Sequence, residues 1–310
     1  MTRPAILIHG PTASGKTELA IRLAVKLGGE VINADAMQVY RDLDVLTARP
    51  NPGELARAPH HLFGHVDAAE RYSAGRWMKE AAAKIADLRA RGQVPILVGG
   101  TGLYLQALVE GLSDIPEIEE GPRAEARRLV AKDSEAAFAR LREVDPAAAE
   151  RIDPADRQRI ARALEVWIGT GKAISAYRGQ ASPVLEAGGW LGVALTPGRD
   201  ALYERINARV DAMMKAGALE EARALCARQL DPELPAMRAH GMPGFNEYFA
   251  GGLPLAEAVE RCKRDTRRYA KRQLTWIAHQ FTLWPRIPAE AADLRVKVVG
   301  ALVKELGEVG

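Results

Sequence analysis

Ala5 to Ile8 is a short apolar run without alternation, the pattern of a strand buried on both faces, and it ends at Gly10. Between Lys16 and Leu27 the apolar positions Leu19, Ala20, Leu23, Ala24 and Leu27 share one face of a helix, which Gly28-Gly29 stops. Glu30 to Asn33 predicts a second strand, leading to Asp35. Tyr72 to Ala90 is helical in pattern and Gly92 closes it. Val94 to Val98 predicts a third buried strand, running into Gly99-Gly100-Thr101-Gly102. Strands alternating with helices predict an α/β fold with a parallel sheet and right-handed crossovers.

The pattern changes from about Ser113 to Ser182. Strand signal disappears, and Arg123–Ala131, Ser134–Glu143 and Ala155–Gly169 read as helices punctuated by Pro116, Pro122, Pro146, Pro154 and Gly171. Residues 113–182 are therefore expected to form an all-helical insertion in a core built from 1–112 and 183–310. Trp190–Leu195 restores a strand. Arg199–Gln229 predicts a long amphipathic helix with Gly217 as its candidate break, and Leu255–Gln280 a second, very basic one. No internal repeat or low-complexity tract is evident.

The 310 residues are 47 % hydrophobic and 27 % charged, which excludes wholesale disorder, and the net charge of +3 says little until its distribution is considered. Cys226 and Cys262 form no CxxC pair and no metal spacing, so both are read as free thiols of a reducing compartment. His60, His61 and His65 lack a fourth ligand at a usual spacing and are read as crevice or packing residues. The N-terminus leads directly into the first strand, and no apolar run approaches the ~20 residues that span a bilayer. A cytoplasmic protein without membrane association is expected.

Gly10-Pro11-Thr12-Ala13-Ser14-Gly15-Lys16-Thr17 matches G-x-x-x-x-G-K-[ST] between a strand and a helix, the context that gives this motif its meaning. Its glycines let backbone N–H groups curl toward phosphate oxygens, the helix N-terminus adds partial positive charge, Lys16 adds a full one, and the Thr17 hydroxyl suits Mg²⁺. The motif alone leaves the reaction open. The expected P-loop NTPase-like core lacks a carboxylate after Val94–Val98, where ATPases and GTPases hold Mg²⁺, and it has no Asn-Lys-x-Asp string. The loop then holds a polyphosphate that leaves rather than one that donates a phosphoryl group. Asp35, at the carboxyl end of the second strand, should face the same crevice.

At these residues the chain resembles the tRNA dimethylallyltransferases, also called tRNA isopentenyltransferases. The resemblance rests on Gly10–Thr17 (GPTASGKT), Asp35–Arg41 (DAMQVYR), Thr47–Pro50 (TARP), Pro59–Leu62 (PHHL) and Val98–Tyr104 (VGGTGLY). It continues through Gln158–Leu164 (QRIARAL), Arg205–Arg209 (RINAR) and Lys271–Trp276 (KRQLTW), so it spans nearly the whole chain. It implies transfer of a dimethylallyl group from dimethylallyl diphosphate to N6 of the adenosine immediately 3′ of a tRNA anticodon. It assigns Asp35 as general base, Thr101 to the reacting centre, and Gly10, Thr12, Ala13, Ser14, Gly15, Lys16, Thr17 and Arg209 to the diphosphate, with Mg²⁺ on Thr17. It further implies tRNA contacts at Asp35, Ala36, Met37, Gln38, Thr101, Arg123, Gln158, Arg159, Ile160, Ala161, Arg162, Arg238, Lys271, Arg272, Gln273 and Trp276, with the insertion gripping the anticodon stem-loop.

The chemistry agrees with those residue types. Allylic displacement builds negative charge on the departing oxygen, which loop N–H groups, a lysine, an arginine and Mg²⁺ stabilise. A delocalised exocyclic amine needs a carboxylate to take its proton. Arg261, Lys263, Arg264, Arg267, Arg268, Lys271 and Arg272 crowd one helix, which points to a polyanionic partner. Trp167, Tyr177, Trp276 and Trp284 offer ring faces for bases, though core packing explains each as well. Departures from the family pattern are Ala36 for serine, Leu46 and Arg49 in the string before Pro50, Ala239–Pro243, and Ala278-His279 where an arginine is common. The competing reading is a P-loop kinase of small molecules or nucleotides. A third is a prenyltransferase of free adenine nucleotides. Nothing in the sequence demands a partner subunit, so a monomer is expected.

Overall fold

The computed structural model describes residues 3–179, 182–287 and 292–308. Gln180 and Ala181 of the expected insertion, and the core's residues 1–2, 288–291 and 309–310, lie outside them. The chain opens with β1 (Ala5–His9), α1 (Lys16–Leu27), β2 (Gly29–Asn33), α2 (Pro52–Leu55), β3 (His60–His61), α3 (Ala74–Ala90), β4 (Val94–Gly99) and α4 (Gly102–Glu110). Helices α5 (Glu120–Lys132), α6 (Ser134–Val144), α7 (Pro146–Ala149) and α8 (Arg157–Thr170) follow. The chain then continues through β5 (Trp190–Leu195), α9 (Arg199–Lys215), α10 (Ala218–Ala227), α11 (Met242–Phe249), α12 (Leu255–Gln280), β6 (Arg286–Ile287) and α13 (Ala292–Glu308).

Two compact units result, one of Met1–Val109 with Val184–Gly310, the other Glu110–Pro183. In the larger unit the strands form one parallel sheet in the order β3-β2-β4-β1-β5-β6. Every residue of β1, β2 and β4 is buried, which explains the unalternating apolar sequences of β1 and β4. The register sets Asn33 beside Val98 and Val98 beside Ile8. The chain therefore leaves β2, β4 and β1 at one level, and Asp35, Gly99-Gly100 and Gly10 emerge side by side. Gly99 makes this possible, because a Cβ there would lie 1.9 Å from the Ala34 carbonyl oxygen.

The smaller unit packs α5, α6 and α8 around Ala126, Phe138, Leu141, Ile160 and Leu164. Buried Asp145 ties its far end together, accepting the Ala148 N–H at 3.0 Å and the Ser175 N–H at 3.0 Å.

Most differences from the sequence expectation concern ends. Ser73 accepts the Arg76 N–H at 3.1 Å and so starts α3 two residues later than periodicity predicts. Asp156 does the same for α8 through the Arg159 N–H. The helix expected over 199–229 is two, because Gly217 adopts φ +99° between α9 and α10. The edge strands β3 and β6 are two residues each, too short for any period to show.

Candidate active site

The phosphate loop is held by its neighbours at nearly every peptide. Ala13 and Gly15 both take left-handed conformations, φ +60° and +82°, which curl the loop. Lys16 Nζ donates back to the Pro11 carbonyl at 3.2 Å, and Arg205 Nε donates to the Ala13 carbonyl at 3.0 Å. Gln273 from α12 accepts the Thr12 N–H at 3.0 Å and donates to the Gly100 carbonyl at 2.8 Å. One buried amide thus joins the phosphate loop to the turn after β4. No side chain caps α1, so its first-turn N–H groups stay available to an anion.

Asp35 is fixed by its own turn. Its N–H donates to Asn33 Oδ1 at 2.8 Å, and its Oδ1 accepts the Met37 N–H at 3.0 Å. That leaves Oδ2, which lies 3.2 Å from where a Cβ on Gly100 would sit, so glycine there gives the carboxylate room. The Thr101 hydroxyl accepts the Ala36 N–H at 2.9 Å, and the half-buried phenol of Tyr269 sits in hydrogen-bonding reach of Thr101 and Gln273.

A third wall comes from residues 44–49. The Glu221 carboxylate accepts the N–H groups of Asp44, Val45 and Leu46 at 2.7, 2.8 and 2.9 Å. Gln38 Nε2 donates to the Thr47 and Ala48 carbonyls at 2.9 and 3.0 Å, and Arg209 reaches the Ala48 carbonyl at 3.4 Å.

Two chambers open among these walls. One, of about 650 Å³, is lined by the phosphate loop, Asp35, Thr47, Arg205 and Arg209. The other, of about 270 Å³, is bounded by apolar Leu46, Ile206, Val210 and Met213 and by polar Arg238, His240 and Tyr269. Thr12, Asp35, Thr47 and Arg209 line both. Burial pushes Lys16 down to about 8; Asp35 opposes that shift and Arg209 adds to it. Burial also lowers Arg209, again against the pull of Asp35. His240 is lowered by burial and by Arg272, so its imidazole is neutral at pH 7.

The predicted site residues fall into distinct places. Gly10–Thr17, Asp35, Thr101 and Arg209 come together as expected from the motifs. Arg238 lines the smaller chamber while pairing with Glu233, and Lys271 and Arg272 are exposed on α12. Trp276 packs over Gly102 with its indole N–H buried and without a partner. In the helical unit Gln158 and Arg159 are exposed, Ala161, Arg162 and Arg123 half-buried, and Arg162 pairs with Glu165. Two expectations are corrected. Ile160 is wholly buried in the core of its own unit, so its side chain cannot meet RNA. Gln273 is 4 % exposed and uses both ends of its amide inside the protein, which makes it scaffolding. Trp284 is also core, stacked on Phe281 at 4.0 Å.

Periodicity held some signals that motif reading passed over. Arg205 precedes Arg209 by one turn on α9, and Tyr269, Gln273 and Trp276 follow the i, i+4, i+7 stripe of α12. Glu221 had no such signal, since its role depends on a backbone distant in sequence. The three histidines each have a separate partner: His60 the Ala58 carbonyl, His61 Glu30, His65 Glu80. No group of three His, Cys, Asp or Glu able to hold a metal exists among the described residues. Of the residues lining the larger chamber, the Thr17 hydroxyl suits a hard cation held mainly by substrate phosphates rather than by a protein cage. Both cysteines are free.

A phosphate loop on a parallel sheet, sharing a carboxylate with a second and more apolar chamber, defines an α/β enzyme that binds a phosphorylated donor beside another substrate. A sequence model described as IPP transferase matches residues 38–280, and one described as isopentenyl transferase matches residues 4–63. A tRNA dimethylallyltransferase of Hyphomonas neptunium is 53 % identical over 98 % of this chain and 96 % of its own. The full-length tRNA isopentenylpyrophosphate transferase of Bacillus halodurans superposes with a TM-score of 0.71 at 34 % identity, covering 99 % of both chains. A eukaryotic dimethylallyltransferase acting on tRNA gives a TM-score of 0.79 at 31 % identity, over 94 % of this chain and 75 % of that one. The chain belongs to the IPP transferase family.

Proposed function

We propose that the protein transfers a dimethylallyl group from dimethylallyl diphosphate to N6 of the adenosine 3′-adjacent to the anticodon in tRNA, releasing diphosphate. The observation that carries this reading is that Asp35 is a wall of both chambers. A diphosphate in the larger chamber and a purine in the smaller would meet at its carboxylate.

In this reading the donor's tail rests on the N–H groups of Gly10–Thr17, with Lys16 and Arg209 against its oxygens. Thr17, together with the phosphates, would hold Mg²⁺, which would supply positive charge beside the leaving group. The allylic C–O bond breaks, its electrons leaving with diphosphate, while the N6 lone pair forms the new C–N bond and the N6 proton passes to Asp35. Thr101 orients the amine beside it. Removing a proton in this way contributes roughly 10²–10⁴-fold. The kinase reading has less support, because β4 ends in Gly99-Gly100-Thr101 without a carboxylate for a nucleotide's metal.

The tRNA itself would lie along exposed Arg264, Arg268, Lys271 and Arg272 of α12, with the adenosine taken out of its stack. The helical unit, through Arg123, Gln158, Arg159, Ala161 and Arg162, would grip the anticodon stem-loop. No helix among the described residues is long and apolar enough to cross a membrane. Incubation with labelled dimethylallyl diphosphate, ATP and either tRNA or AMP tests the whole reading. Label entering tRNA is the expected result. Label entering AMP, or ATP consumption without label transfer, would overturn it.

A further inference from the structure

The carbonyls of the phosphate loop show where the unusual charge lies. Pro11 and Ala13 give theirs to Lys16 and Arg205, and the next one, Ser14, is held by a residue 281 positions away: Arg295 Nη1 donates to Ser14 O at 3.1 Å. Arg295 sits on α13, beyond residue 280 where the family's sequence model ends. Helix α13 is anchored there by Val299, buried against the sheet core, and by an ion pair between Asp293 and Arg22 of α1.

Arg295 is only 9 % exposed, its Nε is buried without a hydrogen-bond partner, and no carboxylate pairs with it among the described residues. The cation nearest it electrostatically is Arg205, which repels it. Among the described residues the guanidinium has one neutral acceptor and no counter-charge, which compensates its burial poorly. The guanidinium lies close against the loop: a Cβ on Gly15 would sit 2.7 Å from Arg295 Nη1, and φ +82° favours glycine there in any case.

Ser14 C=O and Gly15 N–H belong to one planar trans peptide and point in opposite directions. Arg295, by taking the carbonyl, aims the Gly15 N–H away from itself, and Gly15 lines the larger chamber. A cation on the carbonyl also polarises the peptide and strengthens that N–H as a donor.

We propose that Arg295 is a positioning residue for the diphosphate: through the Ser14–Gly15 peptide it orients and polarises a loop N–H toward the donor's phosphates, and a bound diphosphate supplies the negative charge its guanidinium lacks. The C-terminal helix is thereby part of the donor site without touching the donor. This rests on the loop's role in the proposed function, and the test separates the two.

Inorganic diphosphate binding with Mg²⁺ is measured by calorimetry for the wild type and for the Lys16→Ala, Arg295→Met and Arg295→Lys variants, alongside steady-state kinetics. Wild-type binding that Lys16→Ala abolishes is the expected baseline; no wild-type binding would overturn the loop's role and this inference with it. Arg295→Met should weaken diphosphate binding about tenfold and raise the donor KM to match, leaving kcat and the tRNA KM within about twofold. Its thermal midpoint without ligand reports whether the variant is folded, since the Ser14 carbonyl loses its partner as the buried charge is removed. Arg295→Lys should recover part of the affinity, and if the methionine variant does not fold, a weakening of at least about threefold in the lysine variant carries the proposal. Unchanged diphosphate affinity in a folded variant, or equal losses in kcat and both KM values, would overturn it.

Discussion

Gln273 accepts the Thr12 N–H at 3.0 Å although 261 residues separate them, and its other amide atom holds the Gly100 carbonyl. A residue on α12 thereby sets the distance between the phosphate loop and the turn that precedes Thr101. Gln273→Leu keeps the volume and removes both bonds, leaving the buried Gly100 C=O and the part-buried Thr12 N–H without their partner. The expected loss is about 1–3 kcal/mol of stability from the buried carbonyl, with a smaller addition from the N–H. Urea denaturation checks it, and the donor KM should rise in the same variant because the loop loses its brace.

Asp35→Ala removes the group that faces both chambers. The chemical step should slow by roughly 10²–10⁴-fold, while tRNA affinity stays within a few-fold, since a general base acts mainly in the transition state. Single-turnover rates and a filter-binding assay separate the two quantities. A large affinity loss with little loss of rate would refute the assignment.

Lys16 titrates near pH 8 in the free protein because burial disfavours its ammonium form. A diphosphate requires that ammonium, so affinity for the donor should be full below pH 8. Above it, affinity should fall by about tenfold per pH unit until the complex itself deprotonates. Binding above pH 8 should take up a proton, detectable as a buffer-dependent heat. Lys16→Arg, which stays charged, should flatten the profile.

His9 lies just before the loop, wholly buried, edge-on to Phe281 at 5.2 Å, with neither ring nitrogen hydrogen-bonded. Burial, then Lys16 and Arg286, lower it to about 3. The folded protein therefore keeps His9 neutral while the unfolded chain protonates it below about 6.5. Stability should fall as pH drops from about 6.5 toward 3, by up to about 1.4 kcal/mol per unit from this group. His9→Leu should show a shallower acid limb in denaturation midpoints taken between pH 7 and 4.

Arg268 is 67 % exposed on α12, and Lys271 one turn on is exposed as well. Charge reversal at both should weaken tRNA binding uniformly across tRNAs and reduce the slope of log affinity against log salt by about 1 to 2. Donor KM should not change.

The sheet, the phosphate loop and Asp35 were legible because each is local: an apolar run, an eight-residue motif, a carboxylate at a strand end. The order of the strands and the level at which they end came only from the register, which no periodicity encodes. The stretch Gln158–Arg162 shows the limit of carrying a motif over as a block. Its helix exposes Gln158 and Arg159 but turns Ile160 into the core, a division that helical spacing alone would have indicated. Gln273 misled for the opposite reason: a polar residue in a basic helix reads as a surface contact until its two partners, far away in sequence, are seen. Arg295 and Glu221 act on backbone atoms, and backbone acceptors leave no mark in a sequence.

Because Thr12, Asp35, Thr47 and Arg209 are common to both chambers, whatever fills one compartment rests against walls of the other. Any coupling carried by those shared walls is reciprocal, each occupant altering the affinity of the other by the same factor. An ordered mechanism is the natural kinetic outcome, with the first arrival completing the walls for the second.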